Sequence, residues 1–180
     1  MSVKSIDEPA KLPGWGRKAL YLAVAALLAA LDQWTKALVA ASMPLYSSRE
    51  LIDGFFSLVH TRNTGIAFSL FADSGPLVRS VLVPLLSVAA VALVIYLFWN
   101  SPPAAGRTHW GLSLILAGAI GNLYDRAVYG YVVDFLDFYV GGYHWPAFNV
   151  ADSCITIGAG LILMDAMLGS TARQQEPESA

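Results

Sequence analysis

Apolar residues along the chain gather into four long runs, and the segments between them mix polar, aromatic and turn-forming residues. The first run covers about residues 15–41, with an unbroken apolar stretch from Ala19 to Leu31 before Asp32 and Lys36. The second, about 77–99, has no charge after Arg79, and its Pro84 lies near the start, where a first-turn proline costs little. The third, about 108–127, ends in Asp125 and Arg126, and the fourth, about 148–168, holds Asp152 and Asp165 near its two ends. A bilayer core about 30 Å thick takes about 20 mostly apolar residues as helix, so the pattern predicts four membrane-spanning helices. Between the first two runs, Leu51 to Phe71 places Phe55, Phe56, Leu58, Val59, Ile66, Phe68 and Phe71 around Asn63-Thr64-Gly65, which suggests two short strands about a turn. Tyr129 to Tyr139 gives a weaker strand signal. A small sheet on one membrane face is expected from both.

Composition agrees with this reading. At 56% hydrophobic and 13% charged, the chain carries about half the charged fraction of roughly 25% usual in soluble domains, which excludes a typical water-soluble globule. A mean hydropathy of +0.55 excludes a disordered chain. The net charge is -2, from 11 basic and 13 acidic residues, and no Lys/Arg-rich block is present, so nucleic acid is excluded as a partner. Cys154 is the one cysteine, so neither an intrachain disulfide nor a thiolate metal cluster forms.

The connections set the topology. About 35 residues follow the first span, fewer than ten the second and about 20 the third, so the two longer loops share one side. Lys4, Lys11, Arg17, Lys18, Arg107 and Arg173 flank the other side, against Arg49, Arg62 and Arg79 in the long loops, which places both termini in the cytoplasm. A cleaved signal peptide would also join basic residues to an apolar run. Here the apolar part exceeds a signal peptide's 7 to 15 residues, and three more spans follow, so the first run reads as a retained helix. Residues 170–180 are polar and are expected to form a disordered tail. Trp110, Trp145 and the tyrosines from Tyr129 to Tyr143 read as interfacial anchors.

Ionisable side chains inside a span are costly, which makes each one a candidate for function. Asp32 lies 14 residues after Lys18, about 21 Å into the membrane at 1.5 Å per residue. The third span runs outward and brings Asn122, Asp125 and Arg126 to the same outer level, Asp134 follows, and the fourth span starts there with Asn149, Asp152 and Ser153. Asn122, Asp125 and Arg126 stand at i, i+3 and i+4, as do Asn149, Asp152 and Ser153, so each trio is expected on one helix face. Asp32 and Lys36, an i, i+4 pair, read as mutually neutralising. Asp125 and Arg126 are open to an ion pair or a functional role.

Asp134 and Asp152 have no obvious basic partner. Two converging carboxylates at a partly apolar interface cannot both ionise cheaply, so they share a proton, the state an aspartic protease uses. Spacing alone leaves an ion site, a proton relay or snorkelling charges open, hence also a small ion- or proton-coupled transporter, a channel subunit or a binding scaffold. His60, His109 and His144 form no His-Glu-x-x-His arrangement, and neither a Gly-x-Ser-x-Gly elbow nor a Gly-rich phosphate loop occurs, which removes support from zinc proteases, serine hydrolases and nucleotide-driven pumps.

Five ordered motifs carry a resemblance: Asp32-Gln33-Trp34-Thr35-Lys36, Asn63-Thr64-Gly65-Ile66-Ala67-Phe68-Ser69, Gly121-Asn122-Leu123-Tyr124-Asp125-Arg126, Val132-Val133-Asp134-Phe135, and Pro146-Ala147-Phe148-Asn149-Val150-Ala151-Asp152-Ser153. With them, from about Trp15 to Leu168, the chain resembles the lipoprotein signal peptidases (signal peptidase II), the bacterial intramembrane aspartic proteases. The resemblance implies that Asp134 and Asp152 are the catalytic aspartates. It implies that Asn63, Asn122, Arg126 and Asn149 line the substrate groove, and that Asp32, Lys36, Gly65 and Asp125 support them. Ile66 stands where the family often has alanine. The implied fold is an all-α membrane domain of four transmembrane helices, with a small extracytoplasmic antiparallel sheet and a short, movable outer-loop helix. The implied substrates are diacylglyceryl-modified prolipoproteins, cut just before the lipidated cysteine in the bacterial inner membrane. No metal or organic cofactor is implied, and a monomer among membrane lipids is expected.

Overall fold

The computed structural model describes residues 14–65, 81–102 and 105–174. Helix α1 (Gly14–Ser42) ends just before Pro44, since the residue preceding a proline avoids helical geometry. A hairpin follows, β1 (Ser48–Ile52) and β2 (Phe56–Asn63). Helix α2 (Val83–Asn100) starts with Pro84 in its first turn and stops at Ser101, whose extended backbone precedes Pro102. Helix α3 (Gly106–Tyr129) closes on Gly130 at φ 77, the left-handed cap that only glycine adopts without strain. Strand β3 (Val132–Val140), strand β4 (Tyr143–His144) and helix α4 (Val150–Gln174) complete the order. The four strands form one antiparallel sheet, β1-β2-β3-β4.

Among the described residues, three helical spans, Trp15–Ser42, Val83–Asn100 and Val150–Leu168, are long and apolar enough to cross a membrane by length and composition. Helix α3 is the polar one, and the structure shows why it tolerates that. It packs against α1, α2 and α4, so the three more apolar helices surround it and bury its His109, Ser113, Asn122 and Asp125. The outward faces carry Leu27, Leu85, Leu93, Leu163 and Met167, all exposed, while Asp32 and Lys36 are buried. Apolar outside and charged inside is the arrangement a lipid solvent demands. The closest approach is between α3 and α4, where a Cβ on Gly118 would lie 2.2 Å from the Ala151 carbonyl oxygen.

Two boundaries differ from expectation, and one hairpin was not expected. The β1–β2 turn lies at Asp53-Gly54, ahead of the expected Asn63-Thr64-Gly65: Gly54 takes φ 70 and donates its N–H to Glu50. An Asp-Gly pair supplies that left-handed position directly, whereas Asn63 ends β2. The strand expected beyond Gly65, and the movable outer-loop helix, lie outside the described residues. The tail also begins later than residue 170, because α4 runs on to Gln174, with no proline to stop it before Pro177. The second expected strand keeps its place but starts at Val132, since Tyr129 remains in α3.

The sheet caps one end of the helices. Phe135 and Leu136 both donate to the Phe148 carbonyl, at 3.0 and 2.8 Å, and Phe148 donates back to Leu136. The segment entering α4 is thereby tied to β3, and the short Gly130 turn ties β3 to the end of α3. At this end α1, α3, α4 and β3 meet.

Candidate active site

Asp134 sits on β3 between buried Val133 and Phe135, and is itself 3% exposed. Its two carboxyl oxygens accept from two amides, Asn149 Nδ2 at 2.7 Å and Asn63 Nδ2 at 3.1 Å. Asp152 lies in the first turn of α4 and accepts from Asn122 Nδ2 at 2.8 Å. Asn149 links the two acids: while its NH2 donates to Asp134, its side-chain oxygen accepts the Asp152 backbone N–H at 2.9 Å. That second bond is an N-terminal cap on α4, which satisfies an N–H that the helix leaves unpaired.

The two carboxyls differ in setting. Asp152 stands in the first turn of α4 and lines the cleft, whereas Asp134 is buried on β3. Burial, and after it the facing charge of Asp152, push the Asp134 carboxyl up to about 7, against the opposite pull of the Asn63 and Asn149 amides and of Lys36. The pair does have a basic neighbour, contrary to expectation. The Arg126 guanidinium acts on both acids through space, and is held by the Gly65 carbonyl at 2.7 Å and the Asn122 carbonyl at 3.2 Å. Gly65 in turn donates its N–H to Asn63 Oδ1 at 2.9 Å.

Beside the pair lies a charge cluster. The Lys36 ammonium is 2.7 Å from both Asp32 and Asp125 and donates to Asn122 Oδ1 at 3.0 Å. Asp32 therefore pairs with Lys36 as expected, and Asp125 pairs with Lys36 rather than Arg126. On α3, Asn122 and Asp125 both meet Lys36 of α1, and Asn122 also lines the cleft with Arg126. Asp32 has a further task that spacing gave no hint of, because its Oδ1 accepts the Ala151 N–H at 2.8 Å and so caps α4 from another helix. Gln33 stands in the first motif but was given no role. Its Nε2 donates to Asp125 at 2.8 Å and to the Gly121 carbonyl at 3.1 Å, and its place in that motif beside Asp32 was the signal.

A cleft of about 740 Å³ opens beside the pair. Asn63, Asn122, Arg126 and Asp152 line it together with apolar residues such as Leu86 and Phe148. Asp134 and Asn149 are buried behind that wall. Among the described residues, no three His, Cys, Asp or Glu side chains are grouped to hold a metal ion.

The family model for signal peptidase (SPase) II matches residues 24–168, the part of the chain that contains every side chain named above. The chain belongs to the signal peptidase II family. It is 46% identical to the lipoprotein signal peptidase of Solibacter usitatus over 142 residues, 79% of this chain and 87% of that protein. It is 50% identical to that of Desulforapulum autotrophicum over 135 residues, 75% and 83% of the two. A solved bacterial membrane enzyme, determined by the in meso method at 2.3 Å resolution, superposes with a TM-score of 0.74 at 32% identity, covering 92% of this chain and 95% of that one. A second such enzyme, at 1.9 Å resolution, gives 0.68 at 33% identity, covering 83% and 91%. Membership of signal peptidase II makes the protein a protease, and the three apolar helices fit an enzyme of the membrane.

Proposed function

We propose that this chain is a membrane-embedded aspartic endopeptidase that removes the signal peptide from diacylglyceryl-modified prolipoproteins by cutting before the lipidated cysteine. Asp134 and Asp152 are its catalytic pair. The observation that carries the reading is the unequal pair itself: one carboxyl is buried and keeps its proton to about pH 7, and the other lies at a helix N-terminus with an amide donor.

The chemistry follows from that inequality. Ionised Asp152 takes a proton from water as the water oxygen attacks the scissile carbonyl carbon, and Asp134 gives its proton to the carbonyl oxygen. When the tetrahedral intermediate collapses, Asp152 passes its proton to the leaving amine and Asp134 recovers one from the hydroxyl. Asp134 lies behind the cleft wall, so a bound peptide has to draw it forward past Asn63, in keeping with catalytic contacts that tighten only when substrate binds. Asn63, Asn122, Arg126 and Asn149 hold the peptide and the pair. Asp32, Lys36, Gly65 and Asp125 hold those residues in place.

In this reading the domain crosses the inner membrane four times. Helix α3 is the fourth span: its 24 residues reach about 36 Å at 1.5 Å per residue, and its neighbours screen its polar side chains from lipid. The basic residues Lys18, Arg107 and Arg173 mark the cytoplasmic end, with both termini, which leaves the sheet and cleft at the outer face. There the substrate's lipid chains stay in the bilayer while its scissile bond meets water. The enzyme acts as a monomer in this reading.

Cleavage of a lipidated precursor by Asp134→Asn and Asp152→Asn tests the proposal. Each is expected to lose on the order of 1,000-fold or more in turnover, with an unfolding midpoint close to the parent's. Full turnover by either variant would sink the catalytic pair and revive the ion-coupled transporter that spacing left open.

A further inference from the structure

We infer that Lys36 is a positioning residue for hydrolysis: by holding the Asn122 amide oxygen, it turns the amide NH2 onto Asp152. The inference rests on the reading of Asp134 and Asp152 as the catalytic pair.

An amide side chain has an accepting end and a donating end, and its orientation is settled by what meets each. Three amides reach the two acids. Asn63 has its oxygen held by the Gly65 N–H and Asn149 by the Asp152 N–H, donors within two or three residues in sequence. Asn122 differs. The donor at its oxygen comes from another helix, the Lys36 ammonium at 3.0 Å. An ammonium has only donors to offer, so a flipped Asn122 would set NH2 against NH3+, both nearly free of water, since Lys36 is 3% and Asn122 6% exposed. The ammonium is itself fixed. Asp32 and Asp125 lie 2.7 Å from it on either side, which leaves its remaining reach to Asn122.

Neutralising buried carboxylates is a sufficient reason for a lysine at this place, but it does not require contact with Asn122. The contact links α1 to Asp152 in two steps, 3.0 Å from Lys36 to Asn122 and 2.8 Å from Asn122 to Asp152. Without Lys36 the amide is free to rotate, and Asp152 loses the donor that orients it toward the attacking water. A purely structural Lys36 would cost the same whether or not Asn122 is present.

A double-mutant cycle on the full-length enzyme, with active-site concentration titrated, separates the two roles. Lys36→Met alone strands two buried carboxylates, so the cycle is built on Asp125→Asn, in which adding Lys36→Met returns the cluster to the parent's net charge. In that background Lys36→Met is expected to lower kcat on the order of 100-fold with KM within about twofold, the scale of a misplaced catalytic group. After Asn122→Ala the same change is expected to cost less than about threefold. An undiminished cost after Asn122→Ala overturns the inference. Asp152→Asn in the same background tells this failure from a deeper one: if it retains turnover, the catalytic pair falls and the positioning role with it. If the Lys36→Met proteins do not fold, Lys36→Arg in the parent carries the same cycle, because a planar fork does not reproduce a three-donor point charge. A kcat loss suppressed by Asn122→Ala supports the inference, and an unsuppressed loss refutes it.

Discussion

The two ends of the helix bundle are held together by different physics. Away from the sheet, α1, α2 and α3 meet through rings: Tyr21 stacks on His109 with centroids 5.4 Å apart, and Phe98 meets His109 edge-on at 5.3 Å. Val94, Leu112 and Leu116 complete this apolar cluster. At the sheet end the same α1 and α3, joined by α4, meet through Asp32, Gln33, Lys36, Asn122 and Asp125. The apolar burial at this end is non-directional and gains stability from area, so it tolerates small slips better than hydrogen bonds do. The polar end has no such tolerance, since each donor has a named acceptor and an orphan in this setting costs more than the bond is worth. The ring end therefore serves stability, and the polar end fixes the relative placement of Asp134 and Asp152.

The largest expected difference between the ends is in access. A thiol reagent that cannot cross the membrane should label Ser48→Cys, in a Cys154→Ala background, from outside in intact cells and leave Pro102→Cys unlabelled until the cells are opened. The reverse pattern would put the acids on the wrong side. A smaller but still large effect is expected from Gly118→Ala. The new methyl meets the Ala151 backbone oxygen at 2.2 Å, so α4 has to shift next to Asp152, and turnover should fall on the order of 100-fold. Unchanged turnover would mean that the site tolerates slippage after all. Smallest in its effect on catalysis is Phe98→Ala. Phe98 is 1% exposed, and its loss should cost about 3 kcal/mol or more of stability, read as a lower unfolding midpoint, while kcat per active molecule stays near the parent's. A selective loss of kcat would blur the distinction between the ends.

The same division governs how much was legible in the sequence. Apolar runs announce themselves, because lipid admits few polar side chains, and four helices follow from them directly. The convergence of the polar residues was legible too, since helical rise converts sequence distance into position along a helix. Partner choice was not. Lys36 contacts Asp125 and Asn122 across 89 and 86 residues, and Asp32 caps Ala151 across 119, distances over which spacing has nothing to say. Asn149 shows a local signal misread. It was expected on a helix face with Asp152 and Ser153, whereas Asn three residues before Asp is also an N-cap pattern, and the cap is what joins the two acids. The β1–β2 hairpin was overlooked for a similar reason, because its turn pair Asp53-Gly54 stands in a loop whose turn chemistry at Asn63-Thr64-Gly65 drew the reading.

The central claim is that the two carboxyls share one proton, held on Asp134. The pH dependence of kcat/KM for a lipidated precursor tests it most directly. Asp134 is raised to about 7, so below that value it keeps the proton it must donate, and above it that proton and the general acid are lost. The rate is expected to fall about tenfold per pH unit on the alkaline side of about pH 7, and a rate that stays level from pH 6 to pH 9 would contradict the account.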